Sequence, residues 1–312
     1  MTEESFLPRM TRRRYSRRMS LAITPLTPHI GARLTGIDAG RPITPAEVAA
    51  VEAGMDRHAV LVLPGQAITD EQQLAFTRNF GPLEEGANST VRNTELRLAP
   101  AFADVSNLDR DGAVLARDNR RRMASLGNRL WHSDASFRAV PARYSILSGR
   151  IVTTAGGNTE FADMRAAYDA LDAPTKSEVE DLECEHSLIY SRQQLGFTEF
   201  LPDERVSMKP VLQRLVRTHP VTGAKSLFLS AHIGAIVGWP RPEAMAFIRD
   251  LIEHATQPEF VYVHRWTQHD LVMWDNRTTM HRVRRYDDLT IVRDMRRTTT
   301  RSDGPTVAQE AA

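Results

Sequence analysis

A mainly β fold with helical insertions, built as a double-sheet jelly roll, is what this sequence predicts. Three observations lead there. Short strand-like runs recur along the chain, helical segments interrupt them, and the second half lacks the regular strand–helix alternation of a doubly wound parallel sheet. Residues 21–300 read as one domain, without repeats or low-complexity linkers.

Residues 1–20 stand apart. "PRMTRRRYSRRMS" is arginine-rich and lacks the apolar centre of a secretory signal, so it reads as a disordered basic leader. A sharper alternative makes Met19, not Met1, the true start. "ITPAEVAAVEAGMDRH" then opens a helix with a capping box of Thr44 and Glu47, and proline at the first helical position. "AVLVLPG" follows as a buried strand, and Thr69 with Gln72 repeats the capping logic in "ITDEQQLAFTRNFGP". Residues 84–128 are polar and irregular and read as a mobile loop beside any site.

From "ARYSILSGRIVTTAGGNTEF" onward strands dominate, broken by one helical insertion over "DMRAAYDALDAPTKSEVEDL". Pro220 to Gly223 turn one hairpin, and "RPEAMAFIRDLIEHAT" is an amphipathic helix from about Pro242. "EFVYVHRW", "DLVMWDN" and "VRDMRRTTT" are closing strands, and the polar residues 301–312 are a frayed tail.

A formal charge of +1, with 41% hydrophobic and 25% charged residues, gives no general argument for nucleic acid or a membrane surface. Apolar runs such as "AVLVL" (59–63) are far too short to span a bilayer. The single cysteine, Cys184, excludes an internal disulfide and fits a reducing compartment; it reads as a small buried hydrophobe.

The chemistry begins at "LWHSDASF". If this stretch is extended, His132 and Asp134 leave the same face, as metal ligands or as a plain His–Asp hydrogen bond. Ten histidines and 39 acids in 312 residues give roughly one His-x-acid match by chance, so the pair alone is weak. A third ligand is needed, and His281 in "WDNRTTMHRVRRYD" is the candidate. Two histidines and a carboxylate leave open positions, the arrangement of non-heme Fe(II) oxygenases. In "RDMRR", Arg293 and Arg297 share a strand face while Arg296 points away. Guanidinium groups there suit carboxylates, or simply surface ion pairs. Gly156-Gly157 form a turn before Thr159, and Trp274, Asp275 and Asn276 read as structural.

Together and in order, "LWHSDASF", "GGNTEFADMRAAYDAL", "DLVMWDNRTTMHRVRRYD" and "RDMRRTTT" resemble the TauD/TfdA family of Fe(II)/2-oxoglutarate-dependent dioxygenases. The resemblance covers about residues 21–300 and is greatest to the 2,4-dichlorophenoxyacetate dioxygenase branch. It implies a double-stranded β-helix in which His132, Asp134 and His281 bind Fe(II), with 2-oxoglutarate and O2 as cosubstrates. It implies that Arg293, assisted by the Thr159 hydroxyl, holds the distal carboxylate of 2-oxoglutarate. Arg297 would anchor the anionic head of the prime substrate, and His219 and His232 would line its pocket. The implied reaction hydroxylates the ether-adjacent carbon of an aryloxyacetate, releasing a phenol and glyoxylate beside succinate and CO2. A cytoplasmic homo-oligomer without nucleic-acid or membrane partners completes the expectation.

Two rivals remain at this point. The same chemistry suits taurine, another sulfonate or another aromatic carboxylate, because Arg297 would bind those anions too. A non-catalytic metal-binding jelly-roll protein is the second, opposed by retention of the triad, Thr159 and both arginines. Asp134 argues for oxygen transfer, since related halogenases lack that carboxylate.

Overall fold

The computed structural model describes residues 20–84 and 96–307. The basic leader, the choice between Met1 and Met19, and the end of the C-terminal tail lie outside the described residues. Seven strands form the main sheet: β1 (Ala22–Pro25), β2 (Ala32–Thr35), β3 (Val60–Leu63), β4 (Ala103–Asp104), β5 (Ala142–Ile151), β13 (Leu271–Asp275) and β15 (Asp294–Arg301). Their order is β1-β2-β3-β13-β5-β15-β4. All neighbours are antiparallel except β2 and β3.

Period-two alternation divides the apolar side chains of this sheet between two layers. Leu61, Leu63, Leu271 and Met273 pack with Val51 and Met55 of α1 (Pro45–His58) and Phe76 of α2 (Asp70–Arg78). Both helices begin with the predicted capping boxes, at Thr44 and Thr69. The intervening residues Val60, Val62, Val272 and Trp274 turn the other way and meet Phe161.

Phe161 belongs to β6 (Thr159–Asp163), the middle strand of a second sheet between β12 (Val261–His264) and β14 (Thr279–Val283). On its far face, Ala162 and Met280 join a core with Ala167 of α4 (Met164–Asp169) and with Ile248 and Leu251 of the helix Arg241–Ala255. A further sheet sets β7 (Glu183–His186) between β11 (Ile233–Ile236) and β8 (Val211–Arg214). The predicted hairpin is β9 (Val216–Thr218) with β10 (Lys225–Leu227). The chain is therefore mainly sheet, with helices over the outer faces.

Several expectations need correction. The single insertion after β6 is two helices, because the Asp172 carboxylate accepts the Thr175 N–H at 2.7 Å and starts α5 (Ala173–Val179) afresh. Residues 96–130, read as mobile, form an ordered wall. Arg97 pairs with Asp104 and Asp294, Asn119 caps α3 (Arg120–Ser125), and Arg122 reaches Asp288 at 3.0 Å. The tail is not frayed at Thr306, whose hydroxyl donates to Gln213 at 2.5 Å and accepts from the Arg214 N–H at 3.1 Å. Cys184 is buried as expected, and burial pushes its thiol up to about 12. Among the described residues no helix is long and apolar enough to cross a membrane.

Candidate metal centre and its two cavities

His132 and His281 come together through the backbone. Each ring belongs to a residue whose N–H donates to the other's carbonyl, at 3.0 and 2.8 Å, an isolated bridge linking residue 132 to β14. The extended trace ends there: Ala135 takes a left-handed φ of 51°, so Asp134 sits at the start of a turn, not along a strand. The carboxylate still faces both rings. Its oxygens lie 3.9 Å from His132 Nε2 and 3.7 Å from His281 Nε2.

Those separations exceed hydrogen-bond length, so the proposed plain His–Asp bond is absent. The three ligand atoms nevertheless all lie within 4.8 Å of one another, close enough for one cation to touch them all. Neighbouring groups fix each ligand. His132 Nδ1–H donates to the Leu130 carbonyl at 2.8 Å, which leaves the Nε2 lone pair for a metal. The Asp134 N–H donates to Asn276 Oδ1 (3.1 Å), which also accepts from Trp274 Nε1 (3.0 Å). Asn276 Nδ2 donates to Ser145 Oγ at 3.0 Å, and the Ser145 hydroxyl donates to Asp134 Oδ2 at 2.8 Å. Arg297 Nη1 donates to the other carboxylate oxygen.

Protonation suits ligation as well. Burial lowers the His132 imidazole, and burial together with His132 drives His281 well below its ordinary value. For Asp134 burial works the other way, but the Arg297 guanidinium, helped by the Ser145 hydrogen bond, holds the carboxyl below its usual range. Neutral imidazoles beside an ionised carboxylate are the forms that bind metal. The donor set therefore fits a divalent ion with open positions.

Two cavities flank this group. The smaller, about 30 Å³, touches His281, Thr159, Trp274, Arg293 and Arg297. Arg293 is buried, stacks over Tyr286 at 5.4 Å and donates to the Gly157 carbonyl at 3.3 Å, and has no carboxylate partner among the described residues. Gly156 and Gly157 turn the chain beside Arg293 with φ of 70° and 67°; a Cβ at Gly156 would fall 2.4 Å from the Arg285 carbonyl, and one at Gly157 3.5 Å from Arg293 Nε. The Thr159 hydroxyl accepts from Trp266 Nε1 at 2.9 Å, leaving its own hydrogen to offer. The larger cavity, about 130 Å³, borders His132, Asp134, Arg297 and His232, with Leu188, Phe137, Phe197 and Phe200 supplying apolar surface.

The expected residues thus divide. His132, Asp134, His281, Thr159, Arg293 and Arg297 converge, and Arg296 does turn away, onto Asp70 and Asp294. His232 borders the larger cavity, packing edge-on against Phe137 (4.9 Å) and His132 (5.9 Å). His219 corrects the sequence reading, for it borders neither cavity. Its Nδ1 accepts the N–H groups of Val221 and Thr222, and its Nε2 faces Asp275 (3.5 Å) and Asp56 (3.6 Å), tying the hairpin to β13. Ser145 was not foreseen. Its signal was a polar side chain within an otherwise largely apolar buried strand, where burial demands a partner.

Comparison with known proteins agrees with this geometry. The family model described as taurine catabolism dioxygenase TauD, TfdA family, matches residues 22–299. The chain is 46% identical over 285 residues to an alpha-ketoglutarate-dependent 2,4-dichlorophenoxyacetate dioxygenase of Cupriavidus pinatubonensis, covering 91% of this chain and 99% of the relative. It is 38% identical to an (S)-phenoxypropionate/alpha-ketoglutarate-dioxygenase of Sphingobium herbicidovorans, covering 85% and 90%. Among solved structures, AAD-2 in complex with Mn(II) and N-oxalylglycine superposes with a TM-score of 0.90 at 58% identity, covering 93% of this chain and all of that one.

Proposed function

The chain belongs to the TauD/TfdA family and is an Fe(II)/2-oxoglutarate-dependent dioxygenase, and from that premise we propose that it cleaves aryloxyacetates such as 2,4-dichlorophenoxyacetate. Hydroxylation at the ether-adjacent carbon gives a phenol and glyoxylate, with succinate and CO2 from the cosubstrate. The bound iron, with 2-oxoglutarate and O2, supplies the oxidising power. In this reading residues 21–300 are one domain, a double-stranded β-helix whose two facing sheets hold the metal between them.

His132, Asp134 and His281 hold the iron, and the Ser145, Asn276 and Leu130 contacts keep the ligands aimed. Arg293 takes the distal carboxylate of 2-oxoglutarate in the smaller cavity, where the buried guanidinium otherwise lacks a counter-charge among the described residues, and Thr159 donates to the same group. Arg297 borders both cavities, so it keeps Asp134 ionised and presents positive charge to the anionic substrate head. His232 lines the substrate side.

The observation that carries the substrate class is the wall of the larger cavity. Phe137, Phe197, Phe200 and Leu188 offer an aryl ring apolar and edge-to-face contacts, which taurine has no group to use. Matching the cosubstrate and the single buried thiol, we read the protein as cytoplasmic, and family habit supports a homo-oligomer. The test is phenol release from a panel of aryloxyacetates with Fe(II) and 2-oxoglutarate, against taurine and cinnamate-type acids as competitors. The reading expects aryloxyacetates to be turned over and taurine to compete weakly; taurine turned over in preference would refute it.

A further inference from the structure

Five arginines line the larger cavity: Arg97, Arg121, Arg138, Arg192 and Arg297. Four are already answered by carboxylates. Arg97 and Arg121 pair with Asp104, Arg138 with Glu84, and Arg297 with Asp134. Arg192 is the exception. Among the described residues its guanidinium makes one hydrogen bond, Nη1 to Ser191 Oγ at 3.0 Å, and its buried Nε–H has no acceptor. Arg192 is half-buried, and a cation partly withdrawn from water without a counter-charge is costly unless something else answers it.

The surroundings hold this guanidinium in place. Arg192 lies on α6 (Leu188–Gln193). Ser191 spends its own hydrogen on the Leu188 carbonyl (2.8 Å), so its oxygen accepts from both Arg192 and His232 Nδ1 (2.9 Å). His232 in turn packs on His132. A chain of contacts thus fixes the guanidinium relative to a metal-ligand ring. Across from it, Gly127 leaves the space the guanidinium fills, since a Cβ there would lie 2.5 Å from Nη1. Burial pulls the Arg192 pKa down to about 10, so it stays charged at neutral pH.

We propose that Arg192 is a carboxylate anchor for the prime substrate, a second cationic contact distinct from Arg297. The proposal rests on the aryloxyacetate reading. A planar guanidinium can meet a carboxylate with parallel N–H groups. Held on the same cavity lining as His132, the carboxylate directs its neighbouring carbon to the triad and leaves the aryl ring to Phe137, Phe197 and Phe200. Arg297 is shared with a metal-ligand carboxylate; Arg192 faces no carboxylate among the described residues.

The test is isothermal titration of phenoxyacetate into anaerobic enzyme loaded with Fe(II) and 2-oxoglutarate. Arg192→Gln should raise the phenoxyacetate Kd at least about tenfold, equivalent to ~1.4 kcal/mol. It should leave the 2-oxoglutarate Kd, and the Kd of uncharged 2-phenoxyethanol, within about twofold. Gly127→Ala, which displaces the guanidinium without removing its charge, should also weaken phenoxyacetate; it decides the matter if the first variant does not fold. Unchanged phenoxyacetate affinity in a folded Arg192→Gln protein overturns the anchor, as does an equal loss for 2-phenoxyethanol. Wild-type enzyme that binds no aryloxyacetate overturns the substrate reading instead, and the anchor with it.

Discussion

Ser145→Ala removes one hydroxyl from the network that holds Asp134, and its effect can be worked out from the structure. The hydroxyl donates to an ionised carboxylate at 2.8 Å and is fully buried, so no water replaces it. A hydrogen bond to a charged group contributes about 1.5–3 kcal/mol. The same oxygen accepts from Asn276 Nδ2, which would keep only a long contact of 3.4 Å to the Arg143 carbonyl. Asn276 also holds the Asp134 backbone, so the loosening reaches the ligand by two routes. Arg297 still grips the other oxygen, which places the loss toward the low end. Groups that support a metal ligand typically cost about 10–100-fold in metal affinity when removed, and we expect roughly tenfold here. Competition of Mn(II) between apoprotein and a chelator of known affinity measures it, with circular dichroism to confirm folding. A Kd within twofold of wild type would refute the claim that this network orients Asp134.

Other outcomes follow from the same geometry. Arg293→Gln should raise the 2-oxoglutarate KM by about ten- to a hundredfold and leave the aryloxyacetate KM nearly unchanged; equal shifts in steady-state assays would mean the wrong arginine. Gly156→Ala meets a left-handed φ and a backbone oxygen, so it should destabilise the fold by at least about 1–2 kcal/mol, read as a lower unfolding midpoint in urea, and an unchanged midpoint would contradict it. Burial pushes the His186 imidazole down to about 3. Between that value and the ordinary one near 6.5, the unfolded chain binds the extra proton, so apoprotein stability should fall as pH drops through this window. The limiting slope is about 1.4 kcal/mol per pH unit; urea midpoints equal at pH 7.5 and 5.5 would refute it.

Much of this was legible in the sequence because local physics repeats itself. Thr44 and Thr69 announce helix starts whatever surrounds them, and the short continuous apolar run in "DLVMWDN" marks a buried strand. The family motifs brought His132, Asp134 and His281 to one place although residues 134 and 281 are far apart along the chain. What stayed hidden depends on long-range pairing. His219 sits in a histidine-bearing hairpin that invites a pocket role, yet Asp56 and Asp275, remote in sequence, claim its ring. Residues 96–130 looked irregular because Asp288 and Asp294, the partners that hold them, come near the end of the chain. Arg192 carried no motif; only the tally of which cavity arginines already face carboxylates sets it apart.

The most direct test of the account is the stoichiometry of one reaction: 2,4-dichlorophenoxyacetate, 2-oxoglutarate, Fe(II) and O2 with wild-type protein, and in parallel with Asp134→Ala. One phenol released per succinate by the wild type, and neither product from the folded variant, is the predicted result. Succinate without phenol would keep the oxygenase and contradict the substrate, whereas full product formation by Asp134→Ala would contradict the metal centre.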